Sequence, residues 1–296
     1  LMHELKAKYD LNFILLVDPE PNTFVDGAQI MAVGSVGKTM PVVLAQGERA
    51  HVGNCFGGIS AVGILASIFN KSDSSLLFSD SYEGESTMPP TWTNFRDKKD
   101  LYDVSIPHRA TGYMTVLSFY STPDETLGKL KALSVTAFEE YVAHRNVIYQ
   151  EYKKIDKYAS MDQIYYEPIV YSFGEFVAKL SEEHPDDFPA FYRRTYNEIG
   201  RAIASGQLNY PDATMQIMSK VLDFSNIAEP LVLLGYAPPY YPPIHGDKMS
   251  GKEGYATKAY EFLREISVDV HAQPLTYESY YMGLSDLSYC GMDHPF

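Results

Sequence analysis

Residues 37–61 read GKTMPVVLAQGERAHVGNCFGGISA. An apolar run from Thr39 to Gln46 has the length and composition of a buried strand. It passes through a short turn to His51. The backbone then bends at Gly53, Gly57 and Gly58, where the missing side chains allow close approach to whatever His51 faces. Beyond the bend, Ile59, Val62, Leu65, Ile68 and Phe69 recur at helical spacing, which predicts a helix from Gly58 to Asn70.

Working outward, 72–101 is polar and rich in Ser, Pro and Asp. It reads as a long loop holding one short strand and the only tryptophan, Trp92. Residues 102–121 are aromatic and β-branched and read as extended. Thr122-Pro123-Asp124-Glu125 is a helix start: Thr122 caps, Pro123 suits the first helical position, and Glu125 reaches back to the cap. That helix is expected to run to about residue 153, a length of about 45 Å. Leu127, Leu130, Ser134, Ala137, Phe138 and Tyr141 share one of its faces, a core or dimer face. Several helices follow from Tyr158 to Asn226. The run from Pro230 to Tyr236 then reads as a buried strand. The order is βαββαβ, a ferredoxin-like sandwich of one sheet and two helices, with a helical insertion at about 155–227.

The flanks read as α/β structure of another kind. Asn12 to Val17 is an apolar strand that ends at Asp18-Pro19, and Ala28 to Val33 is a second strand. Gly251 to Ile266 reads as a helix and Asp269 to Gln273 as a short strand. Gly283 to Tyr289 reads as a turn into a helix capped by Ser285. Residues 1–33 and 244–296 are therefore expected to be parts of one α/β domain into which 34–243 is inserted. Both ends of the chain read as cuts through a larger fold.

Net charge is −14, from 24 basic and 38 acidic residues. This argues against nonspecific binding to nucleic acid, which needs a basic face. No apolar run reaches the roughly 20 residues of a membrane helix, and the first residues do not read as a secretory h-region. Cys55 and Cys290 have no metal-type spacing, and a reduced cytoplasmic setting is expected.

Single residues carry two readings each. Asp18 at a strand end is either a ligand or a cap for the turn, with Glu20 a competitor. His51 is either functional or an ordinary surface histidine. Asp286 either organises a site or simply favours a helix N-terminus. His108 and Arg109 read as solvated strand residues, His245 as a loop residue without a partner, and Cys55 as a buried structural thiol. The glycine-rich bend has no P-loop lysine or dinucleotide spacing.

Four ordered segments carry a family resemblance: 13–18, 37–61, Ala237-Pro238-Pro239-Tyr240-Tyr241-Pro242, and 283–289. Together they resemble the zinc aminoacylase and carboxypeptidase family, peptidase family M twenty, and within it the RocB-type arginine-utilization branch. The resemblance implies a partial zinc-peptidase catalytic domain with an inserted lid domain. It implies amide hydrolysis at a pair of zinc ions that activate water, with a small-molecule or peptide substrate. Asp18 would be a zinc ligand. His51 would stabilise the oxyanion from the lid, usually across a homodimer. Asp286 and Ser285 would shape the site floor. The family's other metal ligands have no counterpart between Leu1 and Phe296, and the lid-strand arginine of many members has none in 114–120. The chain alone is therefore expected to be inactive. The rival expectations are a non-enzymatic dimerisation module on the same lid fold, and a small-molecule binder using a pocket near His51 and Trp92.

Overall fold

The computed structural model describes residues 8, 24–25, 27–97, 104–160, 163–248, 251 and 253–291. The expected strand 12–17 and Asp18 lie outside them.

Short strands come first: β1 (Phe24–Val25), β2 (Ala28–Ala32), β3 (Gly34–Ser35) and β4 (Gly37–Thr39). Next come β5 (Pro41–Gln46) and helix α1 (Ala61–Ser72). Strands β6 (Ser81–Tyr82) and β7 (Glu85–Ser86) form a hairpin before β8 (Thr91–Asp97) and β9 (Arg109–Ser118). Helix α2 (Pro123–Tyr152) leads to β10 (Ile169–Ser172). Helices α3 (Phe173–Glu183), α4 (Phe188–Ala204) and α5 (Tyr210–Ser225) precede β11 (Leu231–Tyr236). The chain continues through β12 (Ile244–His245), α6 (Tyr255–His271) and β13 (Leu275–Glu278).

All six residues of β5 are buried. It lies between β9 and β11, antiparallel to both. β8 takes the other side of β9, and β10 runs parallel to β11 at the opposite edge. β4 pairs with the end of β9 in the same register as β5, so the two are one strand line interrupted at Met40. The elements β5, α1, β8, β9, α2 and β11 follow one another as strand, helix, strand, strand, helix, strand.

Both faces of this sheet are covered, which is why its central strands are apolar without alternation. Val43, Ala45, Met114, Val232 and Leu234 face a core shared with α1 and α2, including Ile64, Leu65, Leu130 and Phe138. Met40, Val42, Leu44, Leu231 and Leu233 face the opposite way, onto Phe176, Leu180, Met215, Met218 and Leu222 of α3 and α5. Each fully buried side chain of this size contributes about 1.5–3 kcal/mol. The segment expected to be purely helical thus contains an edge strand, β10, and it forms a third layer on the sheet. A four-residue strand becomes one only by pairing, here with β11.

Outside this sheet, β2 pairs with β1 and, in parallel, with β13. The helix expected to end at Ile266 runs to His271, so the strand expected at 269–273 lies instead at 275–278. Among the described residues no helix is long and apolar enough to cross a membrane.

Candidate functional site

Past Gln46 the backbone keeps pairing with the segment that leads into β9. Gly47 N–H donates to the His108 carbonyl at 2.8 Å, Ile106 N–H to Ala50 at 2.9 Å, and Val52 N–H to Val104 at 2.9 Å. Glu48 and Ile59 exchange both backbone bonds, closing the turn back to α1. A side chain at Gly47 would lie 2.1 Å from the Ile59 carbonyl and one at Gly58 2.5 Å from that of Glu48, so this closure needs both glycines.

His51 caps the 3-10 turn Val52–Gly57. Its Nδ1 accepts the Gly53 N–H at 3.0 Å. In the neutral ring the proton therefore sits on Nε2, leaving an N–H donor on an exposed imidazole. The turn beneath it is clamped by α2: Arg145 donates to the Gly58 carbonyl, at 2.5 Å, and to that of Cys55, at 2.6 Å. Phe56 packs on Tyr149 and Tyr152, with ring centroids 4.8 and 5.5 Å away. Cys55 is exposed, contrary to the buried thiol expected, because it lies on a 3-10 turn that stands outside the sheet and buries none of its residues.

A polar group flanks this end of the sheet. Burial, then the Arg49 charge, holds the His108 imidazole below its ordinary value, although its Nδ1 meets the Gly47 carbonyl at 2.8 Å. Arg109 pairs with Asp223 at 2.6 Å and donates to Gln46 Oε1. Neither residue is the solvated strand residue that its sequence context implied, because α5 closes over that end of β9. Tyr166 donates to Glu48 at 2.7 Å, and burial followed by that bond raises its phenol.

Ser285 and Asp286 lie elsewhere. Ser285 is buried and its Oγ accepts the Leu287 N–H at 3.2 Å, the capping role its position implied. Asp286 opens the 3-10 turn Asp286–Gly291 and is exposed. This segment leans on the start of the strand line: Ser35 Oγ donates to the Gly283 carbonyl at 3.4 Å, and Tyr289 donates to that of Tyr240 at 2.7 Å. Tyr241 in turn pairs with Lys38 of β4. From Gly37 to Gln46 the line spans about 30 Å at roughly 3.3 Å per residue. His51 and Asp286 therefore stand at opposite ends of it.

Trp92 is not beside His51. Its indole N–H donates to Ser72 Oγ at 2.9 Å at the far end of α1, and its ring covers Gly112, where a side chain would lie 2.6 Å from Trp92. Among the described residues the two therefore do not line one pocket. His245 is not a loop residue either. It is in β12, 6% exposed, with its ring against Tyr82 and Tyr280. Among the described residues no group of three His, Cys, Asp or Glu side chains could hold a metal ion. The described residues therefore do not fit a pair of zinc ions.

No known family profile matches the chain. The chain is similar to RocB of Bacillus subtilis (strain 168). The two are 21% identical over 294 residues, 98% of this chain and 50% of RocB. YqjN of the same organism, described as an uncharacterized protein, is 24% identical over 296 residues, 99% of this chain and 52% of YqjN. The chain thus spans about half the length of both relatives. Among solved structures, the aminopeptidase PepT from Bacillus cereus aligns with 39% of this chain and 29% of its own, at 17% identity and a TM-score of 0.30. An aminobenzoyl-glutamate utilization protein from Klebsiella pneumoniae aligns with 40% and 30%, at 14% identity and a TM-score of 0.30.

Proposed function

We propose that this chain is the lid-bearing part of a metal-dependent amidohydrolase or peptidase resembling RocB, linked to arginine catabolism or peptide breakdown. Similarity to RocB along 98% of the chain supports the reading. The observation that carries it is His51. Acceptance of the Gly53 N–H at Nδ1 leaves Nε2–H as an exposed donor on a clamped turn. Such a donor stabilises the negative oxygen that forms when water adds to an amide carbonyl. In this reading the zinc pair is held by residues outside those described, Asp18 among them, and Ser285–Asp286 borders the site floor.

Because His51 and Asp286 stand at opposite ends of the strand line, one copy does not bring them to one substrate. A second copy supplies the missing end. The edge strand β8 favours that arrangement, since among the described residues it pairs only with β9. The same edge supports the non-enzymatic reading, in which the chain is a dimerisation module.

The test uses the protein in the longest form its gene encodes, assayed on N-acyl amino acids and dipeptides with zinc or manganese. Cleavage that a chelator abolishes is expected. His51→Gln should lower kcat by about 100-fold or more, with metal content and folding retained. Metal-loaded protein that cleaves no amide in the panel, or a fully active His51→Gln variant, refutes the hydrolase reading. A dimer on size-exclusion chromatography without metal uptake favours the dimerisation module.

A further inference from the structure

Among the described residues, two chain crossings join the βαββαβ unit to the unit built on β2 and β13: one through β3 and β4, the other through 237–244. Both are tightly packed at the pivot, where a side chain on Gly37 would lie 2.6 Å from Pro243. A third tie crosses the same pivot without being part of either crossing. It is the segment 79–87, which contains the β6–β7 hairpin.

One end of this segment is bound to the βαββαβ unit. Asp80 is 2% exposed. One of its carboxylate oxygens accepts the N–H groups of Phe119, Tyr120 and Ser121 at 2.8–3.0 Å, and the other accepts the Ser121 hydroxyl. Thr87 N–H donates to the Asp80 carbonyl at 2.9 Å, and Asp80 N–H donates to Thr87 Oγ1 at 2.9 Å. The other end reaches the second unit. The half-buried Glu85 carboxylate accepts the Ser279 N–H at 2.8 Å and the Tyr280 N–H at 3.1 Å. Between the two ends, Tyr82 touches His245 and Tyr280, and Lys248 Nζ sits 3.4 Å from the Tyr82 ring centroid. Phe119 stacks on Tyr280 at 4.1 Å beneath them.

We propose that segment 79–87 is a strap that sets the angle between the two units, with Asp80 as its fixed end and Glu85 as its releasable end. The chemistry of the ends differs in the required way. Releasing Asp80 strands a nearly buried carboxylate and leaves four donors without their acceptor, three of those bonds being buried. Glu85 is reached by water, which can replace its bonds when the carboxylate swings out. Ser279 and Tyr280 lead within a few residues to Ser285 and Asp286, so Glu85 is a positioning residue for that segment. The strap does not depend on the hydrolase reading.

The test compares wild type with Glu85→Ala and Glu85→Gln. Hydrogen exchange is read at 279–280, and an electron-spin distance distribution is read between labels at Glu139→Cys and Glu265→Cys, in a background with Cys55→Ser and Cys290→Ser. Glu85→Ala should speed exchange at Ser279 and Tyr280 about tenfold and broaden the distance distribution, while β5 and β11 keep their protection. Glu85→Gln, which keeps an acceptor oxygen, should fall between. Unchanged exchange, faster exchange with an unchanged distance distribution, or protection lost equally in β5 and β11 each overturns the strap.

Discussion

The two ends of the β4–β5 line are built to opposite specifications. At the His51 end the last polar groups face outward: an exposed imidazole on a glycine turn, held from behind by Arg145 and Phe56. At the Gly34–Gly37 end they face inward. Asp80, Phe119, Tyr280 and His245 are nearly without solvent contact and tie separate segments together. One end presents chemistry on a braced loop; the other holds two units in register. Substitutions should therefore cost stability at the junction and cost binding or turnover at the tip.

The sharpest way to break this contrast is Asp80→Ala. It leaves three backbone N–H groups and a hydroxyl without their acceptor, and should lower the unfolding free energy by about 3 kcal/mol or more, measured by urea titration. A loss below about 1 kcal/mol would make the junction no tighter than the tip. Phe119→Ala comes next. It removes the ring stacked on Tyr280 and should cost about 3 kcal/mol, with any excess over Asp80→Ala a sign that the aromatic cluster leads. At the other end, Arg145→Met should cost only about 1 kcal/mol while raising hydrogen exchange in 53–58, because the Cys55 carbonyl it frees is open to water.

Two smaller effects sharpen the comparison by pH. Burial alone raises the Asp80 carboxyl, but bonds from the Ser121 hydroxyl and the N–H groups of Tyr120, Ser121 and Phe119 outweigh it and hold the carboxyl below its ordinary 3.8. The unfolded chain then takes up the proton first. The stabilisation is complete above pH 3.8 and fades as pH falls through the folded value, so wild type and Asp80→Asn should converge in stability in acid. The His108 imidazole is also held below its ordinary 6.5, by burial and the Arg49 charge. Its contribution is present above pH 6.5 and is lost as pH falls through the folded value. His108→Gln should therefore flatten the stability profile just below pH 6.5, the smallest change of the set.

Some of the fold was legible because it is local chemistry. Thr122-Pro123-Asp124-Glu125 predicts a helix start, and both reciprocal capping bonds are present there. The apolar run before His51 is a strand, and the glycines after it make the close turn their size permits. Other readings failed where partners distant in sequence decide. Asp269 to Gln273 reads as a strand around Val270, yet α6 continues to His271, since helix propensity differences of a few tenths of a kcal/mol yield to tertiary context. Ile169-Val170-Tyr171 is strand-type in composition, but the run is short and follows a helix-rich reading, and it becomes a strand by pairing beside β11. Cys55 was misplaced because burial depends on which side of a turn meets a helix.

The candidate site divides the same way. His51 could be singled out from its glycine setting. That its Nδ1 is occupied and its Nε2–H exposed is a fact of the folded turn. Asp286 could be singled out too, but only the register of β4 and β5 against β9 shows that it stands a full strand line away from His51.

By itself the sequence determined the local elements, the apolar centre of the sheet and the acidic charge balance, because these follow from composition, backbone preference and hydrophobic pattern within a few residues. The tertiary structure alone decided that α3 to α5 cover the second face of the sheet and that Glu85 meets backbone N–H groups 194 and 195 positions away. Those depend on hydrogen-bond geometry and packing between segments whose spacing along the chain carries no signal.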